Sequence, residues 1–258
     1  MKISDIISLI NEKAPEKYAL SWDNPGLLIG DESKQASRAL LALDVTEETA
    51  NQAVRDRCEI IIAHHPMFFG GIKKLTDDSP LGRCVHMLMK NDIAVYACHT
   101  NMDAAEDGIN ERLAGLFSLT DRKILVPDER FENIGIGRVG KLPNEMSIEE
   151  LCEKTKSLLK TPFVRVISGG RGKIEKIAVA SGSCSEFIPL AKSLGAQAVI
   201  TADMKYHDSI DAYESGMYVI DAGHYPTEFL VTDIFVDILK TAPIEIVISE
   251  NKDVFGVL

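Results

Sequence analysis

Between residues 27 and 100 the chain repeats one pattern: a buried apolar run too short for a helix, then an amphipathic stretch at helical spacing. Leu27–Ile29, Ala39–Leu43, Glu59–Ala63 and Ile93–Ala97 are the apolar runs, rich in Ile, Val, Leu and Ala. Strands with apolar residues on both faces are stable only when layers cover both faces, which is the situation of parallel strands in an α/β sheet. Helices are predicted over 3–13, where Ile3, Ile6, Ile7 and Ile10 share a face. Others follow from a Thr46 cap to about Arg55, from Ser79 to about Asn91, and over about Ala105 to Leu116. The expected fold class is α/β, with mixed, mostly parallel sheets flanked by helices.

The pattern resumes after residue 127. Strands are predicted at Ile134–Leu142, Phe163–Ile167, Ile174–Ala180, Ala198–Thr201, Met217–Ile220 and Ile244–Ile248. Helices are predicted at Ile148–Leu159, Glu186–Leu194, His207–Glu214 and 226–240. With 258 residues, two α/β domains fit better than one core. The expected division is 1–126 plus 221–258 as one domain and 127–220 as the second.

Ligands in such sheets gather beyond the carboxyl ends of the strands. Three chemistry-bearing segments fall at those ends or at a helix start. Ala63-His64-His65-Pro66 puts two imidazoles at a strand exit, pointing in different directions. His99-Thr100-Asn101-Met102-Asp103 spaces a carboxylate four residues from an imidazole, one helical turn. Gly223-His224-Tyr225-Pro226-Thr227-Glu228 reads as a loop histidine before a helix opened by Pro226, with Glu228 in the first turn. Each has a plainer reading: a hydrogen-bonded histidine pair, a cap at Asp103, an acidic residue near a helix's positive end. Together they hold four of the chain's six histidines. Histidine with carboxylate suits Zn, Fe, Mn or Ni. Five ligands exceed what one open catalytic metal takes, and suit two divalent metal ions about 3.5–4 Å apart.

Taken with Trp22-Asp23-Asn24-Pro25-Gly26-Leu27 and with Thr201-Ala202-Asp203 plus His207, these segments resemble one family across nearly the whole chain. It is the dinuclear-metal-centre family of GTP cyclohydrolase type 2 homologs, the NIF-three-like proteins. Ala202 stands where many members have Gly. The resemblance implies that His64, His65, Asp103, His224 and Glu228 are metal ligands, with Glu228 bridging. It also implies two related α/β domains and a homohexamer. The activity it implies is hydrolysis, opening a purine ring with release of formate, on a small-molecule substrate that is a nucleotide. His99 and His207 are the candidate proton carriers, their reference pKa lying near neutrality. The alternatives are a two-metal phosphoesterase, or a non-catalytic metal-binding or partner-binding module.

Other features narrow this reading. The net charge of −11 disfavours nucleic acid, and the basic groups at Lys73–Lys74 and Arg171–Lys173 are small. Five cysteines without a C-x-x-C pair point to a reducing compartment, so a cytoplasmic location is expected. The start lacks the apolar run of a signal peptide, and no stretch of about 18 apolar residues predicts a membrane helix. Gly135-Ile136-Gly137-Arg138-Val139-Gly140 matches a dinucleotide fingerprint but lies inside a strand pattern, so it is rejected. Ser168-Gly169-Gly170-Arg171-Gly172-Lys173 reads as a hairpin loop. Ser181–Glu186 reads as an ordinary βα turn, with anion binding by its amides as the rival. Cys184 is expected to be a structural thiol, and Trp22 either packs or lines the site.

Overall fold

The computed structural model describes residues 1–256. The chain opens with α1 (Ile3–Lys13), β1 (Gly26–Ile29), β2 (Arg38–Ala42), α2 (Glu47–Arg55), β3 (Ile60–Ala63), α3 (Pro80–Lys90), β4 (Ala94–Ala97) and α4 (Thr100–Ala104). Next come α5 (Ile109–Leu116), β5 (Thr120–Pro127), β6 (Gly135–Met146), α6 (Ile148–Leu159), β7 (Arg165–Ser168) and β8 (Ile174–Ser183). Then follow α7 (Ile188–Ser193), β9 (Ala198–Ala202), α8 (Tyr206–Glu214), β10 (Tyr218–Asp221) and α9 (His224–Glu228), and last α10 (Val231–Leu239) and β11 (Glu245–Ile248). No helix among the described residues is long and apolar enough to cross a membrane.

Two compact units result. The first comprises Met1–Met102 and Val231–Lys252; the second comprises Asp103–Leu230 with the described residues from Asp253 on. Residues 103–126 and 221–230, grouped with the first domain on sequence, thus fall in the second unit. The reason is packing: α5 lies on β6 and β8, β5 pairs with β6, and α9 lies on β8 and β9.

The first unit holds a five-stranded sheet in the order β1-β4-β3-β2-β11. β4, β3, β2 and β11 are parallel, and β1 runs antiparallel at the edge, pairing Gly26 with Ala97. Every residue of β3 is buried, as its Ile-Ile-Ile-Ala sequence requires. One face packs Leu40, Ala42, Ile61, Ala63 and Val95 against Ala50, Ala53 and Leu88 of α2 and α3. The helix starts are those read from sequence: Thr46 Oγ1 accepts from Thr49 N at 3.1 Å, and Ser79 Oγ from Gly82 N at 3.1 Å.

The second unit holds a six-stranded mixed sheet in the order β5-β6-β8-β9-β10-β7. β8, β9 and β10 are parallel; β5, β6 and β7 join antiparallel. Apolar layers cover both faces, one centred on Leu151, Ile177, Ile200 and Ile220, the other on Ala178, Val199 and Val219. Gly135, Gly137 and Gly140 lie within β6, in keeping with rejecting a dinucleotide site. The segment 168–173 is not a hairpin loop: β7 pairs with β10 and β8 with β6 and β9. The helix predicted over about 105–116 starts later, as α5 at Ile109 with Gly108 as its cap residue, and the short α4 precedes it. The helix predicted at 226–240 is split into α9 and α10.

Candidate metal site

In the first unit the parallel strands deliver their following residues to one edge of the sheet: Asp44 after β2, His64 and His65 after β3, His99 just beyond β4. Because β1 runs the other way, the residues before it, Trp22 and Asp23, arrive at the same edge. Ring nitrogens of His64, His65 and His99 lie within 4.8 Å of one another. Each ring is held through Nδ1. His64 Nδ1 lies 2.9 Å from the Cys98 carbonyl, His65 Nδ1 lies 2.7 Å from Asp44 Oδ1, and His99 Nδ1 lies 2.8 Å from Asp23 Oδ1. A carbonyl oxygen only accepts, so His64 Nδ1 donates, and a neutral His64 carries its lone pair on Nε2. This is the arrangement by which proteins aim histidine at a metal.

Asp23 shows how firmly one of these contacts is fixed. Its side chain is fully buried. Burial pushes its pKa up, but hydrogen bonds from His99 and Thr100 outweigh that and hold it at about 2, against an ordinary 3.8. A depressed carboxyl pKa stabilises the fold above the unfolded value, and that stability is lost as pH falls through the folded one. A carboxyl held that far below its ordinary value corresponds to about 2 kcal/mol. Asp23→Asn is therefore expected to cost about 2 kcal/mol at neutral pH and to flatten the acid dependence between about pH 4 and pH 2, read by denaturant unfolding across that range.

In the second unit, β8, β9 and β10 do the same. Gly182 is next to last in β8, Asp203 follows β9, and Gly223 and His224 follow β10. Gly223 takes φ +88 and caps α9, so His224 is the first residue of that helix rather than part of the loop before it. Pro226 sits in the first turn, where backbone N–H groups have no helical partner anyway. The i, i+4 spacing brings His224 Nε2 to 2.8 Å from Glu228 Oε2. On the other side, His224 Nδ1 lies 2.7 Å from Asp203 Oδ2. A neutral imidazole has one N–H and can donate to only one of two carboxylates. The second close carboxylate calls for a cation, either another proton on the ring or a metal at Nε2.

Asp103 and Glu228 make the same point more strongly. Both are buried, at 8% and 4% exposure. Their carboxylate oxygens lie within 4.8 Å of each other. Two buried like charges so close repel unless a cation is shared. Ser181 Oγ donates to Asp103 Oδ1 at 3.3 Å, and Asn110 Nδ2 donates to its carbonyl at 3.1 Å. The donor set fits a divalent cation.

Other sequence candidates fall differently. His207 is exposed in the first turn of α8, its ring edge-on to Tyr206 at 5.5 Å, and among the described residues it makes no hydrogen bond to the histidines and carboxylates above. Asp203 does not cap α8, whose cap residue is Lys205; it takes φ +54 and binds His224 instead. The amides of Ser181 and Gly182 already donate to Asn110 Oδ1 and Thr227 Oγ1, at 3.0 and 3.1 Å, so these two are not available to an anion. Burial pushes the Cys184 thiol well above its ordinary value, and its sulfur donates to the Ser181 carbonyl, which makes it structural. Sequence reasoning missed Asp44 altogether and gave Asp23 and Asp203 no part in orienting histidines. The available signal was an aspartate within a few residues of a strand on the side where the histidines gather.

A two-sheet α/β fold with buried histidine–carboxylate groups at the carboxyl ends of parallel strands defines a candidate metal-binding α/β protein. The sequence model of the Duf34/NIF3 (NGG1p interacting factor 3) family matches residues 1–254, and the chain belongs to that family. A relative from Clostridium perfringens named "GTP cyclohydrolase 1 type 2 homolog" is 36% identical over 99% of each chain. A crystal structure of a Staphylococcus aureus hypothetical protein has 30% identity and a TM-score of 0.89, covering 100% of this chain and 99% of that one. Reduced HcgD from Methanocaldococcus jannaschii has 31% identity and a TM-score of 0.86, covering 97% and 98%.

Proposed function

We propose that this chain is a dinuclear-metal-dependent hydrolase whose ligands are His64, His65, Asp103, His224 and Glu228. The observation that carries the reading is the buried Asp103–Glu228 pair, with His224 wedged between two carboxylates. The metals would be two divalent ions per chain, drawn from Zn, Fe, Mn or Ni. Bound there, such a pair would supply Lewis acidity and a water acidified toward neutrality.

The chain's own residues do the rest. Asp44, Asp203 and the Cys98 carbonyl hold His65, His224 and His64 in one ring orientation each. Asp23, anionic across the neutral range, keeps His99 donating through Nδ1. His99 Nε2 is then the atom that takes and returns a proton during attack. His207, exposed on α8, is the second proposed proton carrier.

The names of the relatives suggest a nucleotide as substrate, and we propose GTP cyclohydrolase-like chemistry. One water opens the imidazole ring of the purine to a formamide, and a second releases formate. The working form proposed is a cytoplasmic homohexamer. The test is elemental analysis of natively purified protein, followed by incubation of the loaded protein with GTP and, separately, with a generic phosphodiester. The expected result is about two metals per chain and formate from GTP without phosphate. Cleavage of the phosphodiester with no formate would make the centre a phosphoesterase. Loaded protein that turns over neither would reduce it to a binding module.

A further inference from the structure

Trp22 and Phe69 form an exposed aromatic corner beside His99, and we propose that it is a stacking platform for a planar heteroaromatic ring of the substrate. The indole of Trp22 is 60% exposed and the ring of Phe69 is 52% exposed. Burying such rings is strongly favourable, so leaving two adjacent ones in water needs a reason. Their centroids are 6.0 Å apart with planes tilted by 48°. Each also meets His99, Trp22 edge-on at 5.9 Å and Phe69 at 5.6 Å.

The corner is built, not incidental. Asp23, next to Trp22, is locked by His99 and by the backbone N–H of Thr100, which donates to it at 3.0 Å. Asn24 Nδ2 donates to the Phe68 carbonyl at 2.9 Å and ties the loop carrying Trp22 to the loop carrying Phe69. These bonds hold the two loops together and place both aromatic residues beside His99. The two rings touch each other, so nothing slides between them. A flat ring instead lies on the outer face of the indole, with an edge toward His99. Stacking accepts any π-face, so the platform selects planar heterocycles over sugars and phosphates without reading one base. The inference deepens the proposed function and depends on it only for the word substrate.

Trp22 is the sole tryptophan, so fluorescence excited selectively at tryptophan, where the six tyrosines do not absorb, reports on this platform. The protein, metal-free and metal-loaded, is titrated with guanosine, with ribose 5-phosphate and with inorganic phosphate. Saturable quenching by guanosine in both forms, and none by the other two, is expected. By equilibrium dialysis, Trp22→Leu and Phe69→Leu each bind guanosine about 10-fold or more weakly, as stacked bases do when the ring is removed. Metal content of both variants stays at the wild-type value. Guanosine binding with unchanged fluorescence, or equal affinity in Trp22→Leu, overturns the platform. Emission that shifts with protein concentration alone also overturns it, by assigning the corner to self-association. Because the metal-free arm needs no turnover, loss of the platform and loss of the metal centre are read separately.

Discussion

Glu228→Gln lowers bound metal from about two ions per chain to one or fewer and takes formate release to background. The substitution keeps the side chain's size and shape, so a role in packing alone would survive it. What it removes is the charge that the buried Asp103 carboxylate and the His224 ring both crowd. A neutral amide is a poor ligand for these ions. The loss in metal affinity is expected to exceed about 100-fold, the upper end of what removing a mere outer-sphere partner costs. Stability gives an independent readout. An ion at about 1,000 times its dissociation constant adds about 4 kcal/mol to the folded state. In a chain of this size that is a rise of roughly 10 °C in Tm. Wild type is expected to show that rise on metal addition and its loss on chelation, while Glu228→Gln shows at most a small part of it. A variant with full metal content and an intact thermal response removes Glu228 from the centre.

The parts of this molecule legible in the sequence are those written by local rules. β3 was visible because all four of its residues are buried, so the run is apolar throughout. α1 and α6 were visible because an apolar face repeats at helical spacing, and α2 and α3 because a capping residue, Thr46 or Ser79, also marks the start. The histidines stood out because they follow such strands directly. What stayed hidden depends on which strands become neighbours. Asp23 meets His99 across 76 residues because β1 docks antiparallel beside β4, and Asp203 meets His224 because β9 and β10 are adjacent. Their place within a few residues of a strand is the one local sign, and ordinary turn residues share it. β5 was missed for the opposite reason: its first four residues, Thr120 to Lys123, are exposed and polar, and its pairing with β6 rather than any apolar pattern makes it a strand.

Gly182→Ala is expected to damage the same centre from the backbone side, with a control built into the chain. Gly182 takes φ +65, where an alanine costs about 1–2 kcal/mol. A Cβ placed there would lie 2.1 Å from Glu228 Oε1 and 3.5 Å from His224 Cε1. No heavy atoms approach that closely, so Glu228 must leave its position, and it is buried with little room to do so. Gly172 takes φ +75 with nothing within 4 Å of the corresponding point. Gly172→Ala should therefore pay the backbone strain alone: about 1 kcal/mol, a Tm drop of a few degrees, and unchanged metal content. Gly182→Ala should lose about 2–3 kcal/mol and bind metal at least about 10-fold more weakly, because strain and displacement of a ligand add. The comparison is read by thermal melts and elemental analysis of the two variants side by side. Equal metal content in both would mean that the closeness of Gly182 to Glu228 serves only chain packing, and the carboxylate's position at the end of β8 would lose its functional meaning.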